Sequence, residues 1–158
     1  MLRISRLTDY ATVLLASLAA APGRLQTAAL LAEHTHIAPP TVSKILKQLQ
    51  RAHLVLSTRG THGGYQLARP PGQITAAAIL DALEGPVTLT DCAAGEGHCG
   101  IEHTCQVGRV WQRLNLAIRR SLQEVTLAQL AGLDAVPVRF PALERELKAA
   151  AQRQAVRP

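Results

Sequence analysis

The chain has 158 residues, of which 47% are hydrophobic but only 3% aromatic. That length suits one small domain with an appendage, and a chain of this size buries enough surface to fold without disulfides. A net charge of +6 and a pI near 9.9 point to a polyanionic partner such as nucleic acid, and no run approaches the ~18 apolar residues of a membrane span. With so few aromatics the core must be aliphatic. The opening M-L-R-I-S-R-L-T-D-Y continues into an amphipathic helix rather than a cleaved signal, so a cytoplasmic protein is expected.

From Thr8 to Ala20, Ala11, Val13, Leu14, Leu15 and Leu18 predict a buried helix ended by Pro22-Gly23. Arg24 to His34 gives a second, short helix with Thr27 at its start. After the turn Thr35-His36-Ile37-Ala38, Pro39-Pro40 opens a third helix, as proline can in a first turn. Val42, Ile45, Leu46 and Leu49 share one face of it. Thr41, Ser43, Lys44, Lys47, Gln48 and Arg51 take the other. A short helix, a tight turn and a helix with a hydroxyl and basic face is the helix-turn-helix pattern. L-V-L-S-T-R, G-T-H-G-G and Y-Q-L-A-R then read as a hairpin, with Arg59 beside its tip and His62 within it. A hairpin in that place is a wing, whose arginine can read a narrow minor groove. Thr41, Ser43 and Lys44 are expected at the major groove of a double-stranded DNA operator, Lys47 near phosphates, and Arg59 with His62 at the wing contact.

Ile74 to Leu83 predict a further small helix ending at Glu84-Gly85-Pro86. The stretch D-C-A-A-G-E-G-H-C-G-I-E-H-T-C-Q follows, from Asp91 to Gln106. It holds all three cysteines, Cys92, Cys99 and Cys105, with three glycines and one large apolar residue. Packing cannot order such a segment; thiolates gathered on a metal can. The six and five residues between cysteines are wider than the two to four of structural zinc pairs. With only three thiolates, an iron–sulfur cluster is favoured over zinc, and it needs a fourth ligand of another type. An odd number of cysteines in a reduced compartment argues against disulfides.

Beyond the loop, Val107, Val110, Trp111, Leu114, Ile118, Leu122 and Val125 predict a helix of about five turns. Its other face carries Arg109, Arg113, Arg119 and Arg120. Such an appended helix has too little of its own domain to pack on, so the same helix of a second subunit is the expected partner. Thr126 to Leu130 read as a short helix ended by Gly132. The segment after Leu133 is a tail, in which Leu143 and Leu147 predict one further helix. No P-loop, dinucleotide glycine motif, nucleophile motif or C-x-x-C pair suggests an enzyme.

Taken together, L-T-D-Y-A, the helix-turn-helix, V-L-S-T-R-G-T-H-G-G-Y and a three-cysteine loop before a long helix resemble the Rrf-two family of winged-helix regulators, which includes the IscR and NsrR branches. The opening residues and V-T-L-A-Q-L look most like the branch regulating SUF iron–sulfur cluster assembly. The resemblance implies a homodimer on a partly palindromic operator, and a cluster, [4Fe–4S] or [2Fe–2S], held by the cysteines and setting DNA affinity. The IscR branch has a histidine ligand three residues after the third cysteine; here Gly108 stands there and has no side chain. The first cysteine interval is also one residue longer, and the recognition helix differs. The remaining fourth-ligand candidates are His98, His103, Glu96, Glu102 and Asp9. His98 adjoins Cys99 and would point away from it. Asp9 lies in L-T-D-Y-A, where the NsrR branch supplies an aspartate, and is preferred to His103.

The expected fold is therefore mainly α: a winged helix-turn-helix over residues 1–86, a cluster-binding loop over 87–106, a dimerisation helix region over 107–131 and a tail over 132–158. The expected function is a DNA-binding regulator, a repressor of iron–sulfur assembly genes. Alternatives on the same scaffold are a nitric-oxide or thiol-redox sensor, or a winged-helix protein with structural zinc.

Overall fold

The computed structural model describes residues 4–90 and 107–134. Helix α1 spans Arg6–Ala19, α2 Ala28–Thr35 and α3 Pro39–Arg51. Strands β1, Val55–Thr58, and β2, Gly64–Leu67, follow. A single 3-10 turn at Pro71–Gln73 precedes α4, Ala76–Glu84. Helix α5 is Gly108–Glu124 and α6 is Leu127–Leu130. This is the mainly helical winged fold the sequence predicts, with helix ends shifted by one or two residues except at α2, which starts at Ala28 rather than Arg24. Among the described residues no helix is long and apolar enough to cross a membrane.

Side-chain caps start four of the helices. Ser5, Thr27, Thr75 and Thr126 precede α1, α2, α4 and α6 in extended backbone, and each side chain accepts an amide of the first turn. Thr126 and Gln129 complete a capping box at α6. Helix α3 has no side-chain cap and starts on proline instead. Helix α2 stops at His36, whose φ of 55° is left-handed.

The core is aliphatic, as the composition requires. Leu14 and Leu15 of α1, Leu31 of α2, Val42, Ile45, Leu46 and Leu49 of α3, and Leu127 of α6 are completely buried. Tyr10 and Tyr65 only edge the core, and Trp111 is exposed. The positions recur every three or four residues, so each helix turns one stripe inward.

The wing is an antiparallel pair with Val55 opposite Leu67 and Thr58 opposite Gly64. A third segment joins it: Gln26 and Tyr65 exchange backbone hydrogen bonds of 3.0 and 2.8 Å. This contact requires glycine. A Cβ on Gly64 would lie 2.8 Å from the Gln26 carbonyl oxygen, and one on Gly63 only 2.3 Å from that of Thr58. Both obstacles are backbone, which cannot swing aside.

Two long-range features tie the C-terminal elements to the winged domain. Ala76 donates to the Val125 carbonyl at 2.8 Å and Leu127 to that of Ile74 at 2.7 Å, so α6 begins beside the start of α4. Helix α5, 17 residues and about 25 Å long, packs on α4. Arg119 forms a bidentate ion pair with Asp81 at 3.1 and 2.7 Å, and buried Asn115 accepts the Leu89 amide at 3.3 Å. Sequence periodicity places Arg119 among the outward cations of α5. It turns inward because Asp81 of α4 is within reach.

Gly64→Ala should destabilise the domain by about 1–3 kcal/mol through overpacking against fixed backbone. Gly72→Ala, with nothing within 4 Å of the added carbon, should stay within about 0.5 kcal/mol of the parent. Denaturant titration compares them; equal stability would remove the close-approach role of Gly64.

Candidate nucleic-acid interface and cysteine-loop frame

Helix α3 divides cleanly. Its buried stripe leaves Lys44, Lys47 and Arg51 exposed on the opposite side, with Thr41 and Ser43 half-buried on the flanks of its first turn. No acidic residue offsets the positive end of its backbone dipole there. Gln48 shares the Thr41 flank. Its Oε1 is buried without a hydrogen-bond partner among the described residues.

The wing is held at a fixed offset from α3. Leu54 donates to the Leu49 carbonyl at 2.9 Å, and His53 turns the chain with a left-handed φ of 55°. At the tip, Gly60 has a φ of 112° and its carbonyl accepts the Gly63 amide at 2.9 Å. Arg59 and His62 are exposed on either side of Gly60 and Thr61. Thus Thr41, Ser43, Lys44 and Lys47 lie on one helix, and Arg59 and His62 on the hairpin that follows directly.

Between Glu33 and Asp81 the chain has no acidic residue at all, and Lys44, Lys47, Arg51, Arg59 and Arg69 are all exposed. The net charge of +6 is therefore concentrated in the span that builds α3 and the wing. Arg51 belongs to this surface, one turn beyond Lys47. Motif reading had it on the polar face but not among the expected DNA contacts. The acid-free span is a signal in the sequence that would have found it.

Cys92, Cys99 and Cys105, with Glu96, His98, Glu102 and His103, lie outside the described residues. Among the described residues no group of three or more His, Cys, Asp and Glu gathers to hold a metal. The frame on both sides of the loop is described. Helix α4 ends at Glu84 with Gly85 at a φ of 84°, and Leu89 is then hydrogen-bonded to Asn115 of α5. Glu84 Oε1 accepts the Ser5 backbone N–H at 3.0 Å and the Thr8 hydroxyl. These bonds, the Thr8 one foremost, hold the Glu84 carboxyl below its ordinary range. Asp9 is one residue further, exposed in the first turn of α1. No hydrogen bond to its carboxylate is seen among the described residues. Three thiols in the sequence of the loop and an exposed carboxylate one residue beyond the Thr8–Glu84 bond are a donor set that fits an iron–sulfur cluster: three soft ligands and one hard, weak one.

Helix α5 keeps part of its apolar stripe in solvent. Val107 is 59% exposed, Val110 65%, Trp111 39% and Leu114 44%; Ile118 and Leu122 are half-buried. Large apolar residues repeated along one helix face at this exposure mark a surface awaiting a partner.

Comparison with known proteins agrees with this architecture. The family model described as Rrf2, iron-dependent transcriptional regulator, matches residues 4–132. A Mycobacterium tuberculosis protein named as an HTH-type transcriptional regulator is 36% identical over 134 residues, covering 83% of this chain and 82% of its own. The solved structure of the Bacillus subtilis global cysteine regulator CymR superposes with a TM-score of 0.67 at 27% identity, covering 85% of this chain and 99% of its own. That of T. potens IscR superposes with a TM-score of 0.62, also at 27% identity, covering 84% and 89%. These are regulators, not enzymes, and the chain belongs to the Rrf2 family of transcriptional regulators.

Proposed function

We propose that this regulator binds a partly palindromic DNA operator as a cytoplasmic homodimer, with affinity set by an iron–sulfur cluster on its cysteine loop. The genes are those of iron–sulfur cluster assembly, which it represses. The observation that carries this reading is the acid-free basic surface of α3 and the wing, joined through α1 to the lead-in of a three-cysteine loop. The iron-dependent description of the matching family model supports the metal. Cys92, Cys99 and Cys105 would hold the cluster, with Asp9 as the fourth ligand ahead of His103. When bound, the cluster supplies a centre whose ligation and charge respond to iron supply, oxygen or nitric oxide. On this reading residues 1–86 serve DNA, 87–106 the cluster and 107–131 dimerisation, with 132–158 as tail. The resemblance to CymR favours one second reading, a thiol sensor without a cluster.

Chain chemistry assigns the remaining roles. Lys47 neutralises phosphate, a contact blind to sequence; Thr41, Ser43 and Lys44 reach base edges in the major groove; Arg59 and His62 approach the minor groove. The Val110, Trp111, Leu114, Ile118 and Leu122 stripe forms the subunit seam across a two-fold axis.

Three measurements test these assignments. Protein from anaerobic cells should be brown, and Cys92→Ala, Cys99→Ala or Cys105→Ala should each lose most of the chromophore on reconstitution. Asp9→Ala should alter the absorption and paramagnetic spectra more than His103→Ala. Full iron and sulfide in all three cysteine variants would exclude the cluster reading, and a colourless protein with reactive thiols would favour the thiol sensor.

On DNA, Lys47→Ala should weaken binding to all sequences and lower the salt slope by about one. Replacing a base contact among Thr41, Ser43 and Lys44 should cost ~1–3 kcal/mol and relax specificity. An operator affinity unchanged by Arg59→Ala would remove the wing from the interface.

For assembly, Leu114→Asp or Ile118→Asp places a charge against its own copy in the seam, and sedimentation should show monomers. Dimers of undiminished strength would move the interface off α5.

A further inference from the structure

We infer that Glu84 completes the N-terminal cap of α1 from a distance, and is the positioning residue through which the cysteine loop acts on the DNA-binding domain. The second half of the inference rests on the cluster reading proposed above.

In an ordinary capping box, a Glu or Gln at the third helical position reaches back to the N-cap amide while the N-cap hydroxyl accepts the third amide. Helix α6 does this locally with Thr126 and Gln129. Helix α1 has only half the arrangement. Ser5 Oγ accepts the Thr8 amide at 3.2 Å, but the third helical residue is Thr8, whose hydroxyl cannot replace the missing carboxylate. Glu84 takes that place from 79 residues away, its Oε1 accepting the Ser5 amide at 3.0 Å and the Thr8 hydroxyl. Thr8 is 3% exposed, so water is a poor substitute partner for its hydroxyl, and only the longer 3.3 Å contact with Ser5 Oγ lies within reach besides Glu84. The first turn of α1 is finished only when the end of α4 is in place.

The placement gives the bond its consequence. Glu84 is the last residue of α4, and Cys92 follows it by eight positions, with the left-handed Gly85 between. On the other side of the bond, Asp9 follows Thr8, and its amide closes the first turn on Ser5 O at 3.1 Å. Helix α1 in turn packs on α2, α3 and β2. A displacement of the loop that passes the Leu89–Asn115 tie reaches Ser5 and Thr8 through Glu84, Asp9 one residue further, and the recognition helix through α1. Because Glu84 is exposed, water can compete for its oxygens. A clasp that water can release can be opened by the loop, whereas a buried core contact could not.

The test uses the full-length protein, with and without reconstituted cluster, and a DNA duplex selected by the parent from a randomised library. Glu84→Gln retains the accepting oxygen and should resemble the parent throughout. Glu84→Ala should retain iron-binding cysteines but reduce the ratio of affinities between the two states by about fivefold or more, a typical allosteric coupling. In the cluster-free protein, hydrogen exchange at Ser5–Asp9 should be faster in Glu84→Ala and not in Glu84→Gln. An unchanged affinity ratio in Glu84→Ala, or equal weakening of both states, would overturn the coupling role. Exchange in Glu84→Ala indistinguishable from the parent would overturn the distant cap itself. A parent that holds no iron, or binds the duplex equally in both states, defeats the cluster reading instead, and the exchange comparison still decides the cap.

Discussion

Burial of the aliphatic stripe of α1 is the constraint from which the other placements follow. Ala11, Leu14 and Leu15 are completely buried and Leu18 nearly so. Helices α2, α3, α4 and α6 and strand β2 all pack against this one helix. Each fully buried aliphatic side chain contributes about 1.5–3 kcal/mol, so the stripe matches the whole net stability of a small domain in scale. Its use for DNA recognition is indirect. It holds the inner face of α3 so firmly that the outer face is a rigid display of Lys44, Lys47 and Arg51.

The wing depends on a different kind of constraint. Two residues that carry no side chain, Gly63 and Gly64, let three backbone segments close on one another. The Gln26–Tyr65 exchange anchors the hairpin to the α1–α2 connection, and the Leu54–Leu49 bond anchors it to the end of α3. Arg59 is therefore carried at a set distance from the recognition helix even though the tip itself is exposed. Binding then loses less conformational freedom than it would with a free arm.

Much of this was legible in the sequence because it is local. Apolar periods gave α1, α3 and α5; Thr27 marked the start of α2; G-T-H-G-G marked the hairpin tip. What escaped is long-range and polar. Neither the Gln26–Tyr65 exchange, nor Thr75 beside Thr126, nor the Asp81–Arg119 pair has any periodic signature. Arg119 is instructive: on a helical wheel it belongs with the solvent-facing cations, and only the packing of α5 on α4 turns it inward. The span from Glu33 to Asp81 without an acidic residue was readable, since it needs only a charge count along the chain. Cys92, Cys99 and Cys105 are as conspicuous in sequence as any feature, but their geometry lies outside the described residues.

The cysteine loop is attached at both ends to elements with different tasks. Its lead-in is tied to α1 through Glu84 and to α5 through Leu89 and Asn115. Its exit begins α5, which runs to α6 and so back to the start of α4 through Val125 and Leu127. On the reading proposed above, a change in the loop would act at once on the first turn of α1 and on the helix that carries the exposed apolar stripe. In a dimer joined along that stripe, these are the two quantities that matter for a palindromic site. One is the setting of each recognition helix within its own domain; the other is the separation of the two helices, which must match about one turn of DNA. Regulation then requires no rearrangement of the aliphatic core, whose close packing resists gradual deformation. On the proposal above, it would require only that the Glu84 bonds to Ser5 and Thr8, between the ends of α4 and α1, be made or released.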